Sequence, residues 1–71
     1  MRKEKQPVLE TDVMTLPELC AFLRISPSTA YRMAEARRLP AFKIGRDWRF
    51  ERSAINYWMA AEVHRQRWRR Q

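Results

Sequence analysis

Seventy-one residues carrying 15 Lys+Arg against 8 Asp+Glu, a formal charge of +7, set the scale of one small basic domain. A chain of this size buries only about 60% of its extended surface, which leaves little room for a large internal active site, while the excess positive charge suits a polyanionic partner. One cysteine and one histidine exclude an internal disulfide and a cysteine-rich zinc site. No run approaches the roughly 18 apolar residues of a membrane span, and no N-terminal apolar stretch reads as a signal peptide, so cytoplasmic, nucleoid-associated residence is the expectation.

Residues 1–12, MRKEKQPVLETD, hold three charges of each sign, a proline and no helical or strand periodicity, and read as a flexible N-terminal arm. The excess charge therefore sits later: eight basic against four acidic residues over 13–52, and four against one over 53–71.

A first helix is announced at Thr15. Thr15 and Glu18 make a T-x-x-E capping box, with Met14 and Leu19 at the two staple positions around it. Leu16, Leu19, Cys20 and Leu23 then recur at i, i+3, i+4 and i+7, one buried stripe with Phe22 and Ile25 at its margins. Cys20 is accordingly a small core residue. After Arg24 and Ile25 a second start follows, with Ser26 as cap and Pro27 at the first helical position, where its missing N–H costs nothing. Two helices joined by so short a turn form a helix-turn-helix unit.

The second helix runs from Pro27 to about Arg37. Ala30, Met33 and Ala34 can face the first helix, which leaves Ser28, Thr29, Tyr31, Arg32 and Glu35 on the other side. Hydroxyls and a guanidinium gathered in the first two turns are what a recognition helix presents to base edges in a major groove. A solvated surface is the plainer reading of such a face, and the clustering weighs against it.

Pro40 ends the helical region. Ala41 to Glu51, AFKIGRDWRFE, alternates on both sides of a turn at Gly45, with Phe42 and Ile44 before it and Trp48 and Phe50 after it. The pattern predicts a hairpin with one aromatic face on the core, and with Lys43, Arg46 and Arg49 projecting from the opposite face and tip as a positive edge. Trp48 and Trp58 are expected to be mostly buried and to tie this hairpin to a third helix. That helix starts near Arg52 or Ser53, with Ile55, Trp58, Met59, Glu62 and Val63 at helical spacing. Tyr57, Ala61, His64 and Trp68 form a second line opposite Ile55, without a partner inside so small a domain. The predicted fold class is mostly α with a small β-hairpin, in the order helix, helix, hairpin, helix.

Residues 14–59 resemble the excisionase-type and MerR-like family of small winged helix-turn-helix DNA-binding domains. The matching strings are Thr15-Leu16-Pro17-Glu18-Leu19, Ile25-Ser26-Pro27-Ser28-Thr29-Ala30-Tyr31-Arg32, Leu39-Pro40-Ala41-Phe42-Lys43-Ile44-Gly45-Arg46 running into Trp48-Arg49-Phe50, and Ala54-Ile55-Asn56-Tyr57-Trp58-Met59. The resemblance implies a recognition helix starting at Ser26, with Ser28, Thr29, Tyr31 and Arg32 in the major groove. It also implies a wing whose Lys43, Arg46 and Arg49 hold phosphates or the minor groove. Arg24 and Arg37 depart from it, standing where many relatives have glycine or another turn-compatible residue.

Three segments follow: the arm 1–12, a winged helix-turn-helix DNA-binding domain 13–59, and a basic helical extension 60–71. The expected partner is double-stranded DNA, bound either by a small transcriptional regulator or by an excisionase-like recombination directionality factor. An integrase or other protein partner, and self-association on DNA, are compatible with that role. A different class, a protein-interaction or self-association module built on the C-terminal helix, is the alternative. No enzymatic activity, cofactor, metal or small-molecule ligand is expected, because one histidine, no paired carboxylates and no phosphate-cradling glycine loop leave acid, base and nucleophile unprovided.

Overall fold

Thr15 opens the first helix in the computed structural model, which describes residues 12–69. Its hydroxyl accepts the Glu18 N–H at 3.3 Å, and the Glu18 carboxylate accepts the Thr15 N–H at 2.8 Å, so both halves of the capping box are made. Helix α1 spans Leu16–Leu23 and α2 spans Pro27–Glu35. At the start of α2 the Ser26 hydroxyl accepts the Thr29 N–H at 3.2 Å. The arm expected over 1–12 lies outside the described residues apart from Asp12, as do residues 70 and 71 of the extension.

Both helices end in left-handed arginines. Arg24, at φ 60, closes α1, and the Ile25 N–H reaches back to the Cys20 carbonyl at 3.0 Å. Helix α2 itself ends at Glu35, two residues short of the predicted end, and Arg37, at φ 58, closes it; here the Arg38 N–H bonds the Met33 carbonyl at 2.8 Å and the Arg37 N–H that of Ala34 at 3.1 Å. This pair of bonds is the Schellman closure, whose left-handed position favours glycine because an L side chain crowds its own backbone there. The chain accepts that cost twice.

The sheet has three antiparallel strands in the order β1-β3-β2, with β1 at Val13–Thr15, β2 at Phe42–Ile44 and β3 at Asp47–Glu51. Strand β1 was not legible beforehand. It is three residues long and pairs with residues far along the chain, Val13 with Glu51, Met14 with Phe50 and Thr15 with Arg49. Asp12 extends the tie: its carbonyl accepts the Arg52 N–H at 2.7 Å and its carboxylate the Arg52 Nε at 3.2 Å.

The hairpin exists as predicted, but its faces do not. Phe42 pairs with Arg49, Lys43 with Trp48 and Ile44 with Asp47, leaving Gly45 and Arg46 as a two-residue loop. Paired residues share a face, and a loop of two sets even positions on β2 against odd positions on β3. Phe42 and Ile44 therefore stand with Arg49 and Asp47 on the outer face, 43% and 57% exposed, while Lys43 shares the face of Trp48. Gly45, at φ 64, supplies the positive φ that the first position of such a loop requires.

Helix α3, Arg52–Arg69, follows β3 without a break. Met14, Leu19, Cys20, Ala30, Ala34, Leu39, Phe50 and Ile55 make up the core, and none of the described buried residues is polar or charged. Phe50 and Ile55, not the two tryptophans, hold the sealed positions where β3 meets α3. Trp48 and Trp58 are partly buried against that core, and the Trp58 indole N–H donates to the Arg38 carbonyl at 3.0 Å, which also ties α3 to the segment after α2. The architecture is three helices with a small three-stranded antiparallel sheet, mostly helical, consistent with a small winged helix-turn-helix domain.

The register yields two expectations that chemical denaturation checks. Phe50→Ala should cost about 3–5 kcal/mol, whereas Ile44→Ala should stay within about 0.5 kcal/mol of the parent; comparable losses would restore the alternation in which all four apolar residues face inward. Arg37→Gly should raise stability by up to about 1 kcal/mol, since glycine alone occupies the left-handed region without steric penalty.

Candidate nucleic-acid interface

The first two turns of α2 carry a hydroxyl cluster fixed by the cap. Ser26 Oγ, already the acceptor for the Thr29 N–H, donates to Thr29 Oγ1 at 3.0 Å and lies 3.3 Å from Ser28 Oγ. Ser26 and Thr29 thus spend part of their bonding capacity on the helix itself, while Ser28 is exposed. Tyr31 and Arg32 follow on the same exposed side, with Glu35 one turn beyond. The Glu35 carboxylate, by hydrogen bond and by charge, pushes the Tyr31 phenol above its ordinary value of 10.0. The result is a polar strip with one fixed cation, open along its length.

The three hairpin cations are dispersed by the register. Arg46 occupies the exposed loop. Lys43 folds over its cross-strand partner, its Nζ 4.9 Å from the centre of the Trp48 ring. Arg49 lies on the other face, half-buried, and its Nη1 donates to the Trp48 carbonyl at 3.0 Å. The single positive edge anticipated from the alternation is therefore two faces and a tip.

Between the exit of α2 and the hairpin lies a groove of about 840 Å³ whose walls include Arg37, Arg38, Lys43, Trp48 and Trp58. Only Lys43 of these had been singled out as a site residue. The groove is assembled from three separate stretches, so no local motif announces it; the one available signal was the placement of arginine at a position that favours glycine.

Helix α3 leaves the core after Met59. Tyr57, Val63 and Trp68 are 79%, 59% and 64% exposed, and His64 meets Trp68 edge to face at 5.8 Å. Glu62 bonds Arg65 and Gln66; the Arg65 hydrogen bond is the main reason its carboxyl lies below the usual range, with Arg38 adding a smaller pull. No described helix is long and apolar enough to cross a membrane.

Comparison with known proteins agrees with the helix-turn-helix fold. A family model described as a helix-turn-helix domain matches residues 13–63, four residues past the boundary drawn at Met59. Two proteins from two strains of Mycobacterium tuberculosis, each named as a candidate DNA-binding protein, are 34% identical over 47 residues, which is 66% of this chain and 60% of theirs. The chain thus spans about 60% of the length of the curated relatives it matches. No solved structure matches.

The Tyr31–Glu35 contact has a direct spectroscopic consequence. In a Tyr57→Phe background, ultraviolet titration of Tyr31 should give a midpoint above 10.0, because ionising the phenol breaks a hydrogen bond and sets two negative charges together. Glu35→Gln should bring the midpoint down; an unchanged midpoint would remove the contact.

Proposed function

Because the chain belongs to the helix-turn-helix domain family, whose model covers residues 13–63, we propose that it binds double-stranded DNA, with α2 in the major groove and the β2–β3 hairpin as a wing on the backbone or minor groove. The observation that carries this reading is the open strip on α2. Ser28, Tyr31 and Arg32 stand clear of the core on a helix whose other side is sealed by Ala30 and Ala34. A guanidinium so placed can bond a guanine edge with both arms, and the neighbouring hydroxyls accept or donate as the base requires. Ser26 and Thr29 hold the start of the helix and offer their remaining capacity to the backbone.

On the wing, Arg46 at the loop is the leading phosphate contact, with Lys43 and Arg49 approaching from opposite faces. Basic residues at a wing grip without reading sequence, and the affinity they supply falls with salt as counterions are released. The names borne by the mycobacterial relatives point the same way. Two roles fit: a MerR-like transcriptional regulator, or an excisionase-like recombination directionality factor that assists an integrase. DNA bending by the bound protein, read in a gel, would favour the second.

A second reading rests on α3. Tyr57, Ala61, His64 and Trp68 lie along one exposed line of the helix beside Arg65 and Arg67, and such a helix can dock on a protein or on its own copy. Binding to random duplex separates the two, being measurable and salt-sensitive under the first reading and negligible under the second.

Reading and gripping are separable by two variants. Arg32→Ala should reduce preference for the cognate site by about 1–3 kcal/mol with little change on scrambled duplex. Arg46→Ala should weaken both duplexes alike and lower the slope of log K against log salt by about one unit. Titration at several salt concentrations checks both; equal losses of Arg32→Ala on the two duplexes would sink the proposed readout.

A further inference from the structure

The groove behind α2 holds three cations against one carboxylate: Arg37, Arg38 and Lys43 with Glu35, whose carboxylate is turned to Tyr31. Its two tryptophans differ in a telling way. The Trp58 indole N–H is spent on the Arg38 carbonyl at 3.0 Å, whereas Trp48 Nε1 is buried and has no hydrogen-bond partner. A donor withdrawn from water without an acceptor costs free energy, and native structures leave few of them. The residue that carries this donor lines a groove rich in cations, where an acceptor bearing negative charge is the partner that would suit both. Arg37 adds a third observation, since its side chain is delivered to the groove by a left-handed backbone that glycine would adopt more cheaply.

We propose that this groove seats one phosphodiester strand of the bound duplex, with Arg37, Arg38 and Lys43 as counter-charges and the Trp48 indole N–H as a neutral donor to a phosphate oxygen. The inference rests on the DNA-binding reading above and adds Arg37, Arg38 and Trp48 to it. The exit of α2 forms one wall and the wing the other; a duplex engaged by both elements passes a backbone strand between them. Lys43 supplies the moving part. In the free protein its ammonium rests over the Trp48 ring, and on binding it exchanges that contact for a phosphate. An acidic protein segment is the rival occupant. It is disfavoured because it gives α2 and the wing no common ligand.

The full chain tests this on a 20-base-pair duplex of random sequence, titrated at several salt concentrations. Arg37→Gly and Arg38→Gln together should lower the slope of log K against log salt by nearly two units, at about 0.9 per phosphate. Arg37→Gly keeps the backbone it replaces, so a melting temperature at or above the parent's separates lost charge from lost fold. Trp48→Phe, which keeps an aromatic ring but removes the pyrrole half of the indole with its N–H, should weaken duplex binding about three- to tenfold at an unchanged slope, its melting curve showing that the variant is still folded. If the parent binds duplex and the double variant keeps its slope, the groove assignment is overturned while DNA binding stands. If the parent fails to bind duplex at all, the reading beneath it fails too. Polyglutamate at matched ionic strength is the last arm: binding that the same variants abolish, with duplex affinity untouched, would assign the groove to an acidic protein segment and overturn the proposal.

Discussion

Met14 and Phe50 face each other across β1 and β3, both closed off from solvent, and the placement of every other element follows from that pair. Thr15 is at once the last residue of β1 and the cap of α1, so no loop intervenes between strand and helix. Glu51 and Arg52 join β3 to α3 in the same way. The sheet thus sets the direction in which α1 and α3 leave it, and α2 follows through the three-residue connection Arg24, Ile25 and Ser26, which carries the caps of both helices. The wing is held to the helix pair by the same strand. Because the described core has so few sealed side chains, each contributes a large share of a stability that is small for any domain of this size.

Legibility in the sequence tracked the distance over which each feature is decided. Helix starts were readable because their chemistry is local: Thr15 with Glu18, and Ser26 with Pro27, each lie within one turn. The buried stripe on α1 and the Ala30–Ala34 face of α2 followed from periodicity for the same reason. Strand β1 has too few residues to show a period, and its partner lies some 36 positions away. Alternation in the hairpin was read correctly as strand and wrongly as a shared face, because the parity between two strands is set by the loop. An odd loop would have placed Phe42 with Phe50; the even one sets it with Arg49. The candidate site divides likewise. The α2 strip is one helix face and could be listed from spacing, whereas the groove needs Arg37, Lys43, Trp48 and Trp58 in one place, which only the fold provides.

Charge in this molecule is an outer layer. No described polar or charged side chain is buried, so cations can be removed from the α2 strip, the wing or α3 without leaving an unpaired charge in the core. Surface ion pairs such as Asp12 with Arg52 contribute modestly, since both groups remain largely solvated. Their use is positional: the Asp12–Arg52 contact continues the β1 pairing by one residue and fixes where the chain enters the fold. Arg52 also lies over the Phe22 ring, 5.1 Å from its centre, so one arginine touches both the entry of the chain and the margin of α1.

The two left-handed arginines show how far backbone strain can be taken as a sign of function. Arg24 and Arg37 have nearly the same φ and close their helices with the same kind of backward hydrogen bond, and each costs about 1 kcal/mol relative to an unstrained residue. Strain alone treats them equally. Only Arg37 borders a groove that also holds Arg38, Lys43 and a buried donor without an acceptor; Arg24 sits exposed in the turn between α1 and α2, and nothing in the structure explains why it is arginine. Arg37 is therefore set apart by the orphaned Trp48 N–H and the gathered charge, to which the backbone conformation adds a reason for a side chain to stand where glycine would be more stable.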